Sequence, residues 1–349
     1  MNNSSEYLHV TCSTDDNYVQ HCMAMLCSLF ENNKECRFVV HLLHQGLSVE
    51  NEDLISSLCL RYKNDLKQYL IDSNNSNQFS IAENHPDLSI VSYFRLFLPS
   101  ILPRNIHRIL YLDCDVIVVR NIARLFTINM KDYGVAAVQD VTPNSNYHRQ
   151  IMGLSINNNA FCAGVMMINL DFWRENKSGE SMIVYANTMR GKLIMEDQDV
   201  LNHEFHGHWL KLPYKYGRTP LAVAPVDFNQ KWFDIYEYVN EPSIFHYAAH
   251  VKPWLDVWFP ERNHYWHFVK LSGLPKPKKT HASKQLKIKM YKSVMRYIIN
   301  KYIRPFIPDI IEIILKDIYY SLLCIVYILR PNKLNSLMLK RWCQKYRML

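Results

Sequence analysis

Glycine is scarce in this chain, with 9 among 349 residues, and the scarcity bears on how a nucleotide could be bound. A loop that cradles phosphates with backbone N–H groups needs several glycines at fixed spacing. The chain contains neither a G-x-G-x-x-G nor a Walker pattern. The sequence therefore argues against a nucleotide site built on a glycine-rich loop.

Paired cysteines and a secretory leader are also missing. The 9 cysteines are scattered without a C-x-x-C pair, and the polar N-terminus has no apolar leader segment. Several cysteines lie in or beside apolar runs, namely Cys12, Cys27, Cys59, Cys114 and Cys162. Such cysteines are typical of buried, reduced thiols, so we expect a reducing, cytosolic compartment.

The charge is distributed unevenly. Residues 276–349 hold 17 Lys/Arg against 3 Asp/Glu, a net charge of +14, whereas the rest of the chain holds 23 against 29, a net charge of −6. An acidic body with a basic, aromatic tail indicates that the tail meets something anionic. A membrane and a nucleic acid are the candidates.

The first 71 residues alternate between strand and helix patterns. We predict strands over 7–12, 37–43 and 67–71, with helices over 19–31 and 50–63. This alternation predicts an α/β fold with a mostly parallel sheet and helices on its faces. Ligands of such sheets bind at the carboxyl ends of the strands.

The stretch Arg108–Arg120 contains two short apolar runs on either side of Asp113 and Asp115. We interpret it as a buried strand, in which residues i and i+2 point the same way. Two carboxylates on one side of a buried strand repel each other and lose hydration, and a divalent cation would offset both costs. The alternative is a strand-end turn in which the Asp side chains cap backbone N–H groups.

Other polar residues stand near predicted strand or helix ends. Asp15 and Asn17 follow the first strand, where they either cap a helix or contact a nucleotide base or ribose. Arg95 is the single cation of an apolar stretch, so it pairs with a carboxylate, a phosphate or the metal-binding carboxylates. Asp197 belongs to an acidic cluster larger than a helix cap needs. His246 is either a core residue or a partner of the Asp pair.

Six motifs, in this order, resemble those of glycosyltransferase family 8, a family of retaining, nucleotide-sugar-dependent enzymes. They are Thr14-Asp-Asp-Asn-Tyr18, Ser92-Tyr-Phe-Arg-Leu96, Tyr111-Leu-Asp-Cys-Asp115, Phe161-Cys-Ala-Gly-Val165, Asp197-Gln-Asp-Val-Leu-Asn202 and His246-Tyr…Lys252-Pro-Trp254. The resemblance covers roughly residues 7–270. It implies a GT-A fold, a Rossmann-like domain that binds a nucleotide sugar, and it is nearest to bacterial galactosyl- and glucosyltransferases of lipopolysaccharide or related glycans.

The resemblance assigns a metal site to the Asp-x-Asp (DXD) motif. Asp113, Asp115 and His246 would hold Mn²⁺, or alternatively Mg²⁺, and Asp113 would also face the bound UDP-sugar. Carboxylate oxygens suit either cation, and the imidazole favours Mn²⁺. Lys252 would contact the diphosphate.

The remaining roles implied by the resemblance concern the nucleoside and the sugar. Asp15 and Asn17 would hold uridine and ribose, and Arg95 with Asp197 would fix the donor sugar. Gln198 would lie near the anomeric carbon, on the face opposite the leaving group. Because an amide oxygen is a poor nucleophile, we favour front-face attack by the acceptor hydroxyl, with a UDP oxygen taking the proton.

The chain departs from the family pattern at two positions. Cys162 stands where the family usually has Asn, and a thiol does not reproduce the hydrogen bonds of an amide. Ala249 replaces a Gly near the phosphates. These departures sustain an alternative interpretation, a catalytically silent glycan-binding or scaffold protein on the same fold. A third interpretation, a metal nuclease or nucleotidyltransferase, would need further acidic ligands.

We therefore predict a catalytic domain over residues 1–275 and a basic helical extension over 276–349. The expected reaction moves glucose or galactose from a UDP-sugar to a lipopolysaccharide, lipid-linked or other surface-glycan acceptor. The extension mixes Lys/Arg with apolar residues at helical spacing, which is typical of a helix lying on an anionic membrane. We expect a peripheral protein on the cytoplasmic face of the plasma membrane and no nucleic-acid partner. The alternative is an ordinary helical subdomain packed on the body or on a partner.

Overall fold

The computed structural model describes residues 7–72, 89–140, 145–155, 158–220, 241–248 and 251–298. Ala249 lies outside these ranges, and so does the part of the predicted helical extension that follows residue 298. The chain divides into two compact units between Tyr291 and Lys292. All the site residues discussed below lie in the first unit, and the boundary between catalytic domain and extension at residue 275 stays a prediction.

Nine strands form two sheets in the described ranges. They are β1 Leu8–Ser13, β2 Phe38–His44, β3 Asp65–Leu70, β4 Arg108–Leu112, β5 Val116–Val118, β6 Val135–Gln139, β7 Phe161–Asn169, β8 Trp209–Leu212 and β9 Ile244–His246. The large sheet has seven strands in the order β3-β2-β1-β4-β7-β6-β8. Within this sheet, β7 is antiparallel to both of its neighbours, and all the other neighbouring strands are parallel. The mostly parallel sheet predicted from the sequence is therefore confirmed.

The described ranges also contain nine α-helices. They are α1 Val19–Glu31, α2 Val49–Arg61, α3 Leu98–Ile101, α4 Asn146–Ile151, α5 Leu170–Glu175, α6 Ser178–Thr188, α7 Asp197–Phe205, α8 Arg262–Leu271 and α9 Lys284–Ile298, with 3₁₀ turns at Ile90–Phe97, Ala123–Thr127 and Tyr214–Tyr216. Strand β2 is buried along its whole length, as expected for a strand covered on both faces. None of the described helices combines the length and apolarity needed to cross a membrane.

The stretch Arg108–Arg120 is not a single strand, which corrects the interpretation from sequence. Strand β4 belongs to the large sheet, whereas β5 pairs with β9 in a separate two-stranded sheet. Asp113, Cys114 and Asp115 form the turn between them, closed by a hydrogen bond from Val116 N–H to Asp113 O at 3.3 Å. The two carboxylates converge because the chain leaves the large sheet here, and not because of strand alternation.

The topology explains why distant segments meet at one edge of the sheet. Strands β1, β4 and β6 run in the same direction, so their carboxyl ends lie together, and β7 begins at the same edge because it is antiparallel. The backbone N–H of Asp113, after β4, donates to Gly164 O of β7 at 2.9 Å. This edge is where ligands of open α/β sheets bind.

Candidate active site

A cavity of about 220 Å³ opens at this edge of the sheet. Eight of the nine predicted site residues line it, namely Asp15, Arg95, Asp113, Asp115, Asp197, Gln198, His246 and Lys252. The ninth, Asn17, is exposed, and its backbone N–H donates to Asp15 Oδ1 at 2.9 Å. The structure therefore brings eight of the predicted site residues together at one cavity, and the roles of all nine stay predictions.

Asp113, Asp115 and His246 have the spacing of a metal site. One ligand atom from each lies within 4.8 Å of the others, and no other group of this kind occurs in the described part of the chain. His246 Nε2 is 3.3 Å from Asp115 Oδ1 and 3.8 Å from Asp113 Oδ2. Asp115 Oδ1 is buried without a hydrogen-bond partner, because its contact with the imidazole lacks hydrogen-bond geometry. A buried, unsatisfied carboxylate oxygen beside an imidazole fits a divalent cation.

Gly164 makes room for the imidazole of His246. A Cβ at position 164 would lie 2.2 Å from His246 Cε1, 2.4 Å from its Nε2 and 2.8 Å from Asp113 Oδ2. Carbon atoms in ordinary contact stay more than 3.4 Å apart. The absence of a side chain at this position is therefore what lets the ring approach the two carboxylates.

The backbone and one thiol fix the position of His246. Its strand pairs Val116 with His246, and its N–H donates to Arg218 O at 2.9 Å. On the side of the ring away from the carboxylates, Nδ1 lies 3.3 Å from Cys162 Sγ. The ring is 4% exposed, so these contacts decide which nitrogen faces the carboxylates.

Lys252 places a positive charge against the group formed by Asp113, Asp115 and His246. Its Nζ donates to Asp115 Oδ2 at 2.6 Å and to Tyr247 O at 2.8 Å. Burial of Asp115 favours its protonated form, yet the charges of Lys252 and His246 hold the pKa of Asp115 well below its usual range. The carboxylate is therefore ready to bind a cation at neutral pH.

Arg95 connects the candidate metal site with Asp197 at the start of α7. Its guanidinium is 2% exposed and donates to Asp113 Oδ1 at 2.7 Å and to Ala163 O at 2.8 Å. Its Nε donates to Ser92 O at 2.8 Å and lies 3.1 Å from Asp197 Oδ2, an ion pair without a directed hydrogen bond. Of the partners considered from sequence, the structure gives Arg95 the carboxylates.

Asp197 is a buried carboxyl group in a mixed electrostatic environment. Burial, with a smaller contribution from Asp113, raises the pKa of Asp197 to about 6, although Arg95 opposes the change. The residue before it, Glu196, has φ of +47°, a conformation that strains any residue with a side chain. Glu196 is held there by Tyr93, whose hydroxyl donates to Glu196 Oε2 at 2.8 Å.

Gln198 is held at both ends of its amide. Its Oε1 accepts from the backbone N–H of Ala163 at 3.0 Å, and its Nε2 donates to Asp140 Oδ2 at 2.9 Å. Asp140 follows β6 directly, at the same edge as the other site residues. The amide oxygen of Gln198 is therefore already engaged by a backbone donor.

Several residues that shape the site were not predicted as functional. They are Tyr93 and Glu196, which carry the strained turn, Asp140, which holds Gln198, and the pair His148 and Asp199. Asp199 accepts from the backbone N–H groups of Ile194 at 2.7 Å and Met195 at 2.9 Å, so it shapes the loop before α7. The sequence offered a signal for Glu196 and Asp199, which belong to the same acidic cluster as Asp197, and one for Asp140, which ends a predicted buried strand.

Comparison with known proteins places this chain in a family. The model of "Glycosyl transferase family 8" matches residues 9–257. General stress protein A of Bacillus subtilis is 25% identical over 276 residues, covering 76% of this chain and 93% of that protein. Lipopolysaccharide 1,2-glucosyltransferase of Escherichia coli is 28% identical over 256 residues, covering 72% of this chain and 74% of that protein.

A solved structure shows the same fold. The galactosyltransferase LgtC, crystallised with donor and acceptor sugar analogs, superposes with a TM-score of 0.66 at 21% identity, covering 81% of this chain and all of that one. At this identity the likeness concerns the fold alone. Because the family model spans most of the sequence and the GT-A fold agrees with it, the chain is a glycosyltransferase and belongs to glycosyl transferase family 8.

Proposed function

We propose that the protein transfers glucose or galactose from a UDP-sugar, with retention of configuration, to a lipopolysaccharide, lipid-linked or other surface glycan. The observation that carries the proposal is one cavity in which Asp113, Asp115 and His246 lie beside Lys252. The name of the Escherichia coli relative, a lipopolysaccharide 1,2-glucosyltransferase, supports the choice of sugar and acceptor.

The donor diphosphate would meet the cavity at the metal-binding group. Asp113, Asp115 and His246 would hold Mn²⁺, with Mg²⁺ as the alternative, and the bound cation would supply charge that stabilises the departing UDP. Lys252 would contribute a second positive charge, since its Nζ is already fixed at the cavity by Asp115 and Tyr247 O. Asp15, which lines the same cavity and accepts a hydrogen bond from the Ser89 hydroxyl at 3.2 Å, is proposed to bind the nucleoside.

The donor sugar would then lie against Asp197 and Gln198. Gln198 Oε1 accepts from Ala163 N–H and its Nε2 donates to Asp140, so displacing the oxygen toward an anomeric carbon would cost a partly buried hydrogen bond. This favours attack by the acceptor hydroxyl on the face that UDP leaves, with a UDP oxygen accepting the hydroxyl proton. Gln198 would stabilise the positive charge that develops on the sugar ring through its amide dipole.

Retention can be tested without the natural acceptor. Purified protein with Mn²⁺ should slowly hydrolyse UDP-glucose or UDP-galactose, and proton NMR should show the α-anomer of the free sugar before mutarotation. Release of the β-anomer first would refute retention. UDP binding without any sugar release, even when lipopolysaccharide or glycolipid acceptors are added, would instead favour the silent glycan-binding alternative.

We further propose that the basic extension associates with anionic membrane on the cytoplasmic side. Support comes from the composition of residues 276–349 and from α9, where Ile288 and Tyr291 are 49% and 70% exposed. The neighbouring Lys284 and Lys289 are exposed as well. Exposed apolar side chains among lysines suit the interface of an anionic bilayer.

Vesicle sedimentation tests this association. The full chain should sediment with phosphatidylglycerol vesicles and not with phosphatidylcholine vesicles. The double variant Lys284→Glu/Lys289→Glu should bind at least about 30-fold more weakly, since each basic residue near the surface contributes about 1 kcal/mol and about 1.4 kcal/mol is a factor of ten. A matched double variant, Lys131→Glu/Lys211→Glu, changes the same charge elsewhere. Equal binding by the two variants would contradict a role for α9.

A further inference from the structure

Three consecutive residues of β7 connect the parts of the candidate site. Ala163 donates its N–H to Gln198 Oε1 and accepts from Arg95 at its carbonyl. Gly164 accepts from Asp113 N–H and leaves room for the ring of His246. Cys162 completes the set, because its Sγ lies 3.3 Å from His246 Nδ1. The side chain of Cys162 is therefore directed at a metal-binding residue.

The two nitrogens of His246 have different surroundings. Nε2 faces the oxygens of Asp115 and Asp113 at 3.3 and 3.8 Å. Nδ1, on the far side of the ring, has Cys162 Sγ as the partner that the structure gives it. A neutral imidazole that binds a cation through Nε2 carries its proton on Nδ1, and this proton needs an acceptor. A thiol sulfur can accept it, although weakly.

On the basis of the proposed function, we propose that Cys162 is a positioning residue for the metal site: its sulfur accepts the Nδ1–H of His246 and so keeps Nε2 directed at the cation. The thiol that stands in place of the amide usual at this position would thus support the metal site. Ring partners of this kind set tautomer and orientation, and their loss typically weakens metal binding 10- to 100-fold.

Four variants separate acceptor chemistry from side-chain size. Cys162→Ala and Cys162→Val remove the acceptor with a smaller and a bulkier side chain, whereas Cys162→Ser and Cys162→Asn retain an oxygen acceptor. Mn²⁺ affinity of the full-length protein is measured by electron paramagnetic resonance, which counts free Mn²⁺ independently of turnover. Cys36→Ala is the matched control, because Cys36 precedes β2 and does not line the cavity.

We expect the Ala and Val variants to bind Mn²⁺ about tenfold more weakly than wild type, and the Ser and Asn variants to stay within about threefold. Thermal melts in EDTA identify any variant whose fold is damaged. Because alanine is smaller and valine bulkier than cysteine, a loss of Mn²⁺ affinity in both variants reflects the missing acceptor and not the size of the side chain. Wild-type affinity in both Cys162→Ala and Cys162→Val would overturn the inference and leave the proposed function standing. Failure of the wild-type protein itself to bind Mn²⁺ would overturn both.

Discussion

Substitution of Gly164 by alanine should remove the metal site while leaving most of the fold in place. The new Cβ would lie 2.2 Å from His246 Cε1, and ordinary contact begins at 3.4 Å, so the ring has to move by about 1 Å or more. The neighbouring Asp113 Oδ2, at 2.8 Å from the Cβ, blocks part of the escape. Crowding of a packed site typically costs about 1–3 kcal/mol of stability, which a domain of this size can tolerate.

The functional loss should be larger than the stability loss. Displacement of a reacting or ligating group by about 1 Å can cost about 100-fold in rate, and His246 is one of three protein ligands in the proposed site. We therefore expect Gly164→Ala to lose about 100-fold or more in both Mn²⁺ affinity and the rate of UDP release. Mn²⁺ binding is followed by paramagnetic resonance and UDP release by a coupled assay.

Gly134 provides the matched control for crowding. A Cβ there would lie 2.4 and 2.5 Å from ring carbons of Phe205, in the core. Gly134→Ala should therefore lose a similar amount of stability, measured by urea unfolding, but keep Mn²⁺ binding in its folded fraction. Wild-type Mn²⁺ affinity in Gly164→Ala would refute the assignment of His246 as a ligand.

Three further predictions follow from the charges at the site. Asp115→Ala should abolish Mn²⁺-dependent UDP binding in calorimetry without lowering the melting temperature in EDTA. Lys252→Gln should weaken UDP binding about tenfold, because a hydrogen bond between charged groups is worth about 1.5–3 kcal/mol, while Mn²⁺ still binds. The pKa of Asp197 is about 6 in the folded protein against an ordinary 3.8. As the pH rises from 4 to 7 in EDTA, the wild-type free energy of unfolding should therefore fall by up to about 3 kcal/mol relative to that of Asp197→Asn. Parallel pH profiles of the two proteins would contradict the raised pKa.

Local patterns predicted the first part of the fold well, because each apolar run there has the pattern of either a strand or a helix. The helix expected over 19–31 is α1, Val19–Glu31, and the first two strands agree within a residue or two. The third strand, expected over 67–71, is Asp65–Leu70. Its side chains are exposed or half-buried, so no run of apolar residues marks where this strand begins and ends.

The path of the chain through the Asp-x-Asp stretch could not be predicted. Both flanking runs are buried, and from sequence alone they are indistinguishable from one continuous strand. What separates them is pairing of β5 with β9, which is far along the chain. The metal-binding hypothesis remained useful because a turn and a strand can both bring two carboxylates to one point.

The hydrogen-bond partners within the site depend on tertiary structure in the same way. His246 was a candidate ligand only if it met the Asp pair, and the pairing of Val116 with His246 is what brings it there. Asp140 and Cys162 reach Gln198 and His246 because β7 inserts antiparallel between β4 and β6. No local sequence pattern encodes that insertion.

Turnover of UDP-sugars tests the central claim most directly. The purified full-length protein is incubated with a panel of UDP-hexoses, in Mn²⁺ or in EDTA, and released UDP is measured. We predict release from UDP-glucose or UDP-galactose in Mn²⁺ and its loss in EDTA. Failure of the protein to bind UDP or any UDP-hexose in Mn²⁺ would contradict the assignment of Asp113, Asp115, His246 and Lys252 to a nucleotide-sugar site.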